Sequence, residues 1–303
     1  DSIESILKSS KQKLSRINGY IIDKIQINNA ISIEPGFRVD IPLSSYKPLF
    51  QPRISAEIQP KKNIIFNIRL GLYNQFISEN AILDNFNNYL YYWSIMDKEY
   101  SSALKGKHAI AGVSFHIKGI AFRIESYFKK TNGLTRWISN NENYILGIGE
   151  ARSYGMDLFT QKRIGKHNIW LAYTLSKTEE YFSYFQTNAF QLAPQDQRHE
   201  VKTAGLFNFS PFFVTLDYVY GSGIQNSGIH ESNHTTAIYS RLDAALLYKF
   251  NTKKINLEAG FSILNVFNRK NVRYNNFSNF PDNNSVYSSA TPFTPLVFIN
   301  FGF

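Results

Sequence analysis

The sequence predicts an all-β protein: a transmembrane, antiparallel, up-and-down β-barrel wall of about thirteen strands. Three observations predict it. Apolar and polar residues alternate with period two in segment after segment, the signature of strands with unlike faces. The connections alternate between short turns and long polar stretches. No convincing amphipathic helix and no run of about 18 apolar residues occurs.

The elements follow in order. Segment 17–27 alternates weakly. Segment 29–41 sets Ile31, Ile33, Phe37, Val39 and Ile41 against Ser32, Glu34, Arg38 and Asp40. Segment 50–60, FQPRISAEIQP, sets Phe50, Pro52, Ile54, Ala56, Ile58 and Pro60 against Gln51, Arg53, Ser55, Glu57 and Gln59. In 62–73, Ile64, Phe66, Ile68, Leu70 and Leu72 oppose Asn67 and Arg69. A weaker strand at 106–117 precedes 119–129, where Ile120, Phe122, Ile124 and Phe128 oppose Arg123, Glu125 and Lys129. Weaker strands follow at 150–162, 167–176, 198–209, 211–220 and 240–250. Segment 254–263 sets Ile255, Leu257, Ala259, Phe261 and Ile263 against Lys254, Asn256, Glu258 and Ser262. The last, 293–303, alternates Phe293, Pro295, Val297, Ile299, Phe301 and Phe303. A closing strand that ends on an aromatic resembles the signal read by outer-membrane assembly machinery.

Short turns fall near 28–29, 60–63, 118–119, 164–166, 210–211 and 251–253. Long polar connections fall near 42–49, 74–105, 130–148, 177–197, 221–239 and 264–292. That rhythm describes a meander with two unlike rims, not a Greek-key sandwich.

Strand number and length decide which face meets water. A lumen inside so many strands is too wide for apolar side chains to fill. Strands of ten to twelve residues match the roughly 9–11 needed to cross a hydrocarbon core. An arginine turned toward mid-bilayer lipid costs about 2–4 kcal/mol. The apolar parity is therefore expected on lipid. The polar parity is expected on the lumen, and includes Arg53, Glu57, Arg69, Arg123, Glu125, Asp157, Asp217 and Glu258.

Composition removes several classes. The 303 residues carry a net charge of +10, but the cations are scattered through strands and turns. Nucleic-acid binders concentrate them in a patch, so no nucleic-acid partner is expected. There is no cysteine, hence no disulfide, thiolate metal site or cysteine nucleophile. Phe and Tyr number 25 and 19, which suits a membrane wall with aromatic girdles. Residues 1–16 are polar and lack a signal-peptide core, so an exported protein would begin upstream of Asp1.

Catalytic motifs are weak. His230-Glu231-Ser232-Asn233-His234 matches H-E-x-x-H, yet its flanks favour loop and strand, and zinc binding by this motif needs a helix. Ser222, His199 and Asp217 include the residue types of a hydrolase triad, with nothing to order them. Gly221-Ser222-Gly223 precedes no helix and is not a phosphate cradle. No enzyme activity, metal or cofactor is expected. In the longest loop, Tyr89, Tyr91, Tyr92 and Trp93 are candidates for a sugar or aromatic ligand platform; packing and interfacial anchoring are the alternatives. The short turns hold Lys61, Lys62, Lys118, Lys162, Arg163, Lys166, Lys253 and Lys254, a basic rim suited to lipid headgroups.

Five segments carry a family resemblance. IGEARSYGMDLFTQKRIGKHNIWLAYTLSKTEE at 148–180 resembles a hairpin of TonB-dependent outer-membrane receptors. PQDQRHEVKTAGLFNFSPFFVTLDYVYGSGI at 194–224 resembles the next one, and NVFNRKN at 265–271 the segment after the penultimate strand. IEPGFRVDI at 33–41 and QPRISAEIQP at 51–60 resemble two upstream strands. The resemblance implies a 22-stranded barrel, a plug inside it and a segment that engages TonB. It implies that 1–303 is the C-terminal portion, with the plug and first strands absent. It also implies import of a scarce ligand such as a siderophore, glycan or peptide. The implied partners are outer-membrane lipid, TonB through the missing N-terminal part, and a surface lipoprotein. A non-transporting structural or assembly subunit on the same barrel is the other reading, and a barrel-embedded hydrolase a third.

Overall fold

A computed structural model describes residues 13–43, 47–83, 89–96, 103–140, 143–185, 187–193, 195–223, 238–251, 255–280 and 284–302. For 80–83, 89–92, 94, 139–140, 143–145, 272–280 and 284–289 only the backbone is described.

The alternating segments become strands. The first is split at Asp23-Lys24 into β1 (Arg16–Ile22) and β2 (Ile25–Asn28), followed by β3 (Ile31–Pro42), β4 (Leu49–Lys61) and β5 (Ile64–Gln75). A hairpin, β6 (Ile77–Leu83) and β7 (Tyr89–Ile95), interrupts the series. It resumes with β8 (Leu104–Ile117), β9 (Ile120–Asn140), β10 (Asn143–Ile164) and β11 (His167–Phe182). After the two-residue β12 (Gln191–Leu192) come β13 (His199–Phe209), β14 (Phe212–Gly221), β15 (Tyr239–Asn251) and β16 (Asn256–Leu264). A second hairpin, β17 (Val272–Phe280) and β18 (Asn284–Ser289), precedes β19 (Thr294–Gly302).

The register is that of a meander. β1 and β2 both pair with β3. Neighbours then run β3, β4, β5, β8, β9, β10, β11, β13, β14, β15, β16 and β19, all antiparallel. With β1 and β2 as one strand and β6, β7 and β12 peripheral, the seventeen-stranded sheet has a wall of thirteen. Among the described residues the ladders pair β19 with β16, and β1 and β2 with β3, so the wall is an open sheet.

Three sequence expectations need correction. Strand length exceeds ten to twelve residues in the middle of the wall: β9 has 21 and β10 has 22. Much of the stretch expected as a polar connection at 130–148 is ladder. Parts of the long connections 74–105, 177–197 and 264–292 are strand as well, as β6–β7, the end of β11 with β12, and β17–β18. Beyond the lipid zone neither face needs to be apolar, so alternation fades while the hydrogen-bonded ladder continues.

Burial settles the faces. Among the described residues four apolar side chains are buried, Phe76, Ala103, Phe182 and Ala193, while forty large apolar side chains are exposed. Ile54 is 45% exposed, Ile68 50% and Val297 74%. Moving one such side chain out of water contributes about 1.5–3 kcal/mol. Dozens left in water would outweigh the roughly 5–15 kcal/mol net stability of a domain. The favourable surroundings of this face are hydrocarbon. No helix among the described residues is long and apolar enough to cross a membrane; strands cross it instead.

Candidate functional site: the polar face of the wall

The polar face is organised in rows along the hydrogen-bonding direction. One row joins Ser32, Glu57, Asn67, Gly112, Glu125, Asp157, Thr174 and Glu200 on eight successive strands. Four of its members are carboxylates. Glu125 and Asp157 sit directly opposite, an arrangement that like charges disfavour. Each has a partner: Arg69 lies 3.4 Å from Glu125, and Thr174 Oγ1 donates to Asp157 at 2.7 Å. The next row toward the short turns carries Ser114, Arg123, Phe159, Ala172, Lys202, Val219 and Arg241. An acidic belt therefore runs beside a basic one.

Farther along, Asp217 lies opposite Asp243, whose carboxylate accepts from Arg241 at 2.6 and 2.8 Å. Lys249 Nζ is 2.6 Å from Glu258. The Arg53 guanidinium lies 5.5 Å from the centroid of the Tyr73 ring. All eight polar-parity residues named from the sequence thus lie on this one face. Rows connect Glu57, Glu125 and Asp157, whereas Asp217 and Glu258 lie on more distant strands. The face has little room for large side chains beside its aromatics. At Gly155, a Cβ would come within 2.8 Å of the Tyr127 hydroxyl and 2.5 Å of the Leu175 carbonyl oxygen.

Two clusters at the long-loop end escaped sequence reading. Asp40 is fully buried and receives Arg38 Nε at 2.8 Å, Arg38 Nη2 at 3.0 Å, Arg16 Nη1 at 3.2 Å and the Gln51 amide. The Arg38 hydrogen bond, against the opposing effect of burial, holds the Asp40 carboxyl below its ordinary value. The second cluster is Arg136 with Glu180, a bidentate pair at 2.9 and 3.0 Å, capped by the Tyr184 hydroxyl at 2.8 Å and the Phe182 ring at 4.2 Å. Simple parity puts Arg136 on the apolar face. The structure inserts Gly133 as an extra residue, with φ of 90°, so that Glu150 faces Asn132 but Gly149 faces Leu134. This bulge moves Leu134 and Arg136 to the polar face. Adjacent carboxylates split between the faces: Glu180 takes Arg136, and Glu179 takes Arg152 at 2.8 Å and Lys177 at 2.7 Å on the other side.

The aromatic group is not a loop. Tyr89, Tyr91, Tyr92 and Trp93 belong to β7, paired with β6. Trp93 is 70% exposed, and the side chains of the three tyrosines lie outside the described residues.

The hydrolase triad does not assemble. The His199 ring binds the Tyr173 hydroxyl at 2.8 Å on the apolar side, Ser222 Oγ accepts from the His199 backbone, and Asp217 is on the polar face. His230 to His234 lie outside the described residues, as do Lys253 and Lys254 of the basic rim. Lys61, Lys62, Lys118, Lys162, Arg163 and Lys166 are exposed at the short-turn end. Among the described residues no cluster of three His, Asp or Glu side chains is placed to hold a metal.

A meander of strands with an apolar face and an ionic face, its apolar side chains exposed, is the pattern of the wall of a large transmembrane β-barrel. Comparison with solved structures agrees. The chain is similar to the ferric-catecholate import receptor Fiu from K12 E. coli, at TM-score 0.65 and 15% identity over 94% of this chain and 44% of that one. It is similar to the FrpB iron transporter from Neisseria meningitidis, at TM-score 0.65 and 12% identity over 96% and 46%. It is similar to the copper transporter OprC, at TM-score 0.66 and 12% identity over 95% and 47%. The chain spans less than half the length of these proteins, and at such identity the likeness is one of fold. No family model matches the sequence, and no curated protein matches it.

Proposed function

We propose that residues 1–303 form the C-terminal part of the barrel of a TonB-dependent receptor that imports a scarce ligand across the bacterial outer membrane. The plug, the first strands and the TonB-engaging segment belong to other parts of that receptor. The observation that carries this reading is the inverted burial, forty large apolar side chains exposed against four buried among the described residues, with Ile54, Ile68 and Val297 on the apolar parity of the wall. The likeness to receptor and transporter barrels over 94% or more of the chain supports it.

In this reading the polar face lines the lumen. The row of Glu57, Glu125, Asp157 and Glu200 offers negative potential to cationic groups of a plug or a passing ligand. The Arg123, Lys202 and Arg241 row offers the opposite. Long-loop hairpins, including exposed Trp93, meet the ligand first. The ligand class is a siderophore, glycan or peptide. The role is transport and not catalysis.

The test uses the full-length receptor in its own membrane. Uptake of a candidate ligand should depend on this protein and stop when TonB or its energising gradient is removed. Ligand uptake that is unchanged in the deletion strain refutes import, and an envelope assembly defect without an uptake defect favours the structural subunit instead.

A further inference from the structure

The apolar face is not apolar to its upper edge. Where the lipid band ends, one row reads Leu72, Lys107, Lys130, Arg152 and Glu179 on β5, β8, β9, β10 and β11. Three cations stand on three adjacent strands, with Cα spacings of about 4.5–5.5 Å between neighbours. The row below, on the membrane side, is Leu70, Ala109, Phe128, Tyr154 and Lys177. The row above contains Lys105 and Glu150. Lys130 reaches Glu150 at 2.8 Å, and Glu179 is shared by Arg152 and Lys177. Five cations thus face two carboxylates, and Lys107 makes no ion pair among the described residues.

Directly beneath Lys107 the same face is indented. A groove of about 370 Å³ is lined by Pro52, Ile54, Leu70, Leu72, Ala109 and Phe128, with Lys107 at its lip and Arg53, Gly71 and His108 of the same strands bordering it. An apolar slot under a row of cations, at the level where hydrocarbon gives way to headgroups, has the chemistry of an anionic amphiphile's binding site. Arg and Lys recognise phosphate oxygens through charge-assisted hydrogen bonds, and a basic patch at a membrane surface selects anionic headgroups.

We propose that this corner of the outer face binds a phosphorylated, acylated lipid of the leaflet on the long-loop side. Its phosphate sits on the row of Lys107, Lys130 and Arg152, and one acyl chain lies in the groove between β4 and β9. The inference rests on the membrane-wall reading and adds a defined lipid site to it.

The test reconstitutes the full-length receptor in phosphatidylcholine nanodiscs doped with phosphorylated lipid A, or with the same lipid after removal of its phosphates. Bound lipid is counted by native mass spectrometry. Phosphorylated lipid A should remain bound and its dephosphorylated form should not. Each cation near an anionic surface contributes roughly fivefold. Because Lys130 and Arg152 already share carboxylates while Lys107 does not, K107Q alone should lower retention roughly fivefold and K107Q/K130Q/R152Q together at least about tenfold. Ala109→Trp, which fills the groove without touching charge, should lower retention by a similar factor. Equal retention of both lipids, or full retention in the triple variant and in A109W, overturns the proposal. So does complete displacement by inorganic phosphate with A109W silent, which marks a bare anion site. The wall reading is checked separately in the same discs by lipid-borne quenching of a label on Ile68→Cys. Quenching there without lipid A retention sinks the lipid site alone.

Discussion

Replacing Ile68 by arginine tests the orientation of the whole wall. Ile68 lies on β5 in the row Ala56, Ile68, Ala111, Ser126, Met156 and Leu175, two rows inside the lipid band from Lys107. It is half exposed on the apolar face. An arginine in mid-bilayer costs about 2–4 kcal/mol. The isoleucine forfeits about 1 kcal/mol of its own transfer energy for the half that faces lipid. The sum is roughly 3–5 kcal/mol, at least a hundredfold in the folding equilibrium. The matched control is Glu57→Arg on the adjoining strand, one row position away and on the opposite face, where the new cation enters an acidic row. It should cost less than about 1 kcal/mol. Both variants of the full-length receptor are unfolded by urea from phosphatidylcholine vesicles and compared with the parent by tryptophan emission. Equal losses in the two, or a silent Ile68→Arg with a damaging Glu57→Arg, refute the assignment of faces.

Three further outcomes follow from single contacts. Glu180→Ala strands the buried Arg136 guanidinium and should destabilise by about 3 kcal/mol; adding Arg136→Ala should recover part of that loss, and a double-mutant cycle showing no coupling contradicts the pair. Asp40 titrates below the ordinary carboxylate range, so its contribution is present at neutral pH and disappears as pH falls through the lowered folded value; in acid-unfolding curves Asp40→Asn should remove that part of the slope, and an unchanged slope counts against the cluster. Gly155→Ala drives a Cβ into the Leu175 carbonyl oxygen and the Tyr127 hydroxyl; it should cost about 1–3 kcal/mol and lower the yield of heat-resistant barrel on gels, with Tyr127→Ala relieving only the part due to the ring.

Much of the wall is readable from residues because lipid enforces alternation. Segments such as 50–60 and 62–73 must keep one greasy parity or fail to insert, and they appear as β4 and β5 with expected faces. The legibility ends where the bilayer ends. Residues 130–140 carry no clean period, since both sides of β9 are wet or covered by protein there, yet backbone pairing with β10 continues to Asn140. Gly133 is the reason Arg136 was missed: one inserted residue inverts every face after it, and composition does not announce which glycine is a bulge. Glu179 and Glu180, adjacent carboxylates on opposite faces, look alike in the sequence until each finds its partner. Tyr89 to Trp93 lie in a strand that the sequence does not announce, because aromatic residues without a neighbouring polar parity give no strand signal of their own.

The length of β9 and β10 has a consequence for how the outside world reaches this protein. A strand of 21 residues, tilted as barrel strands are, climbs roughly 50 Å, about twice the height of the hydrocarbon band. The excess stands clear of the membrane as a stiff palisade on one side of the mouth. Whatever approaches from that quarter meets a hydrogen-bonded screen well before it meets the polar face, and its angle of approach is set by paired backbone.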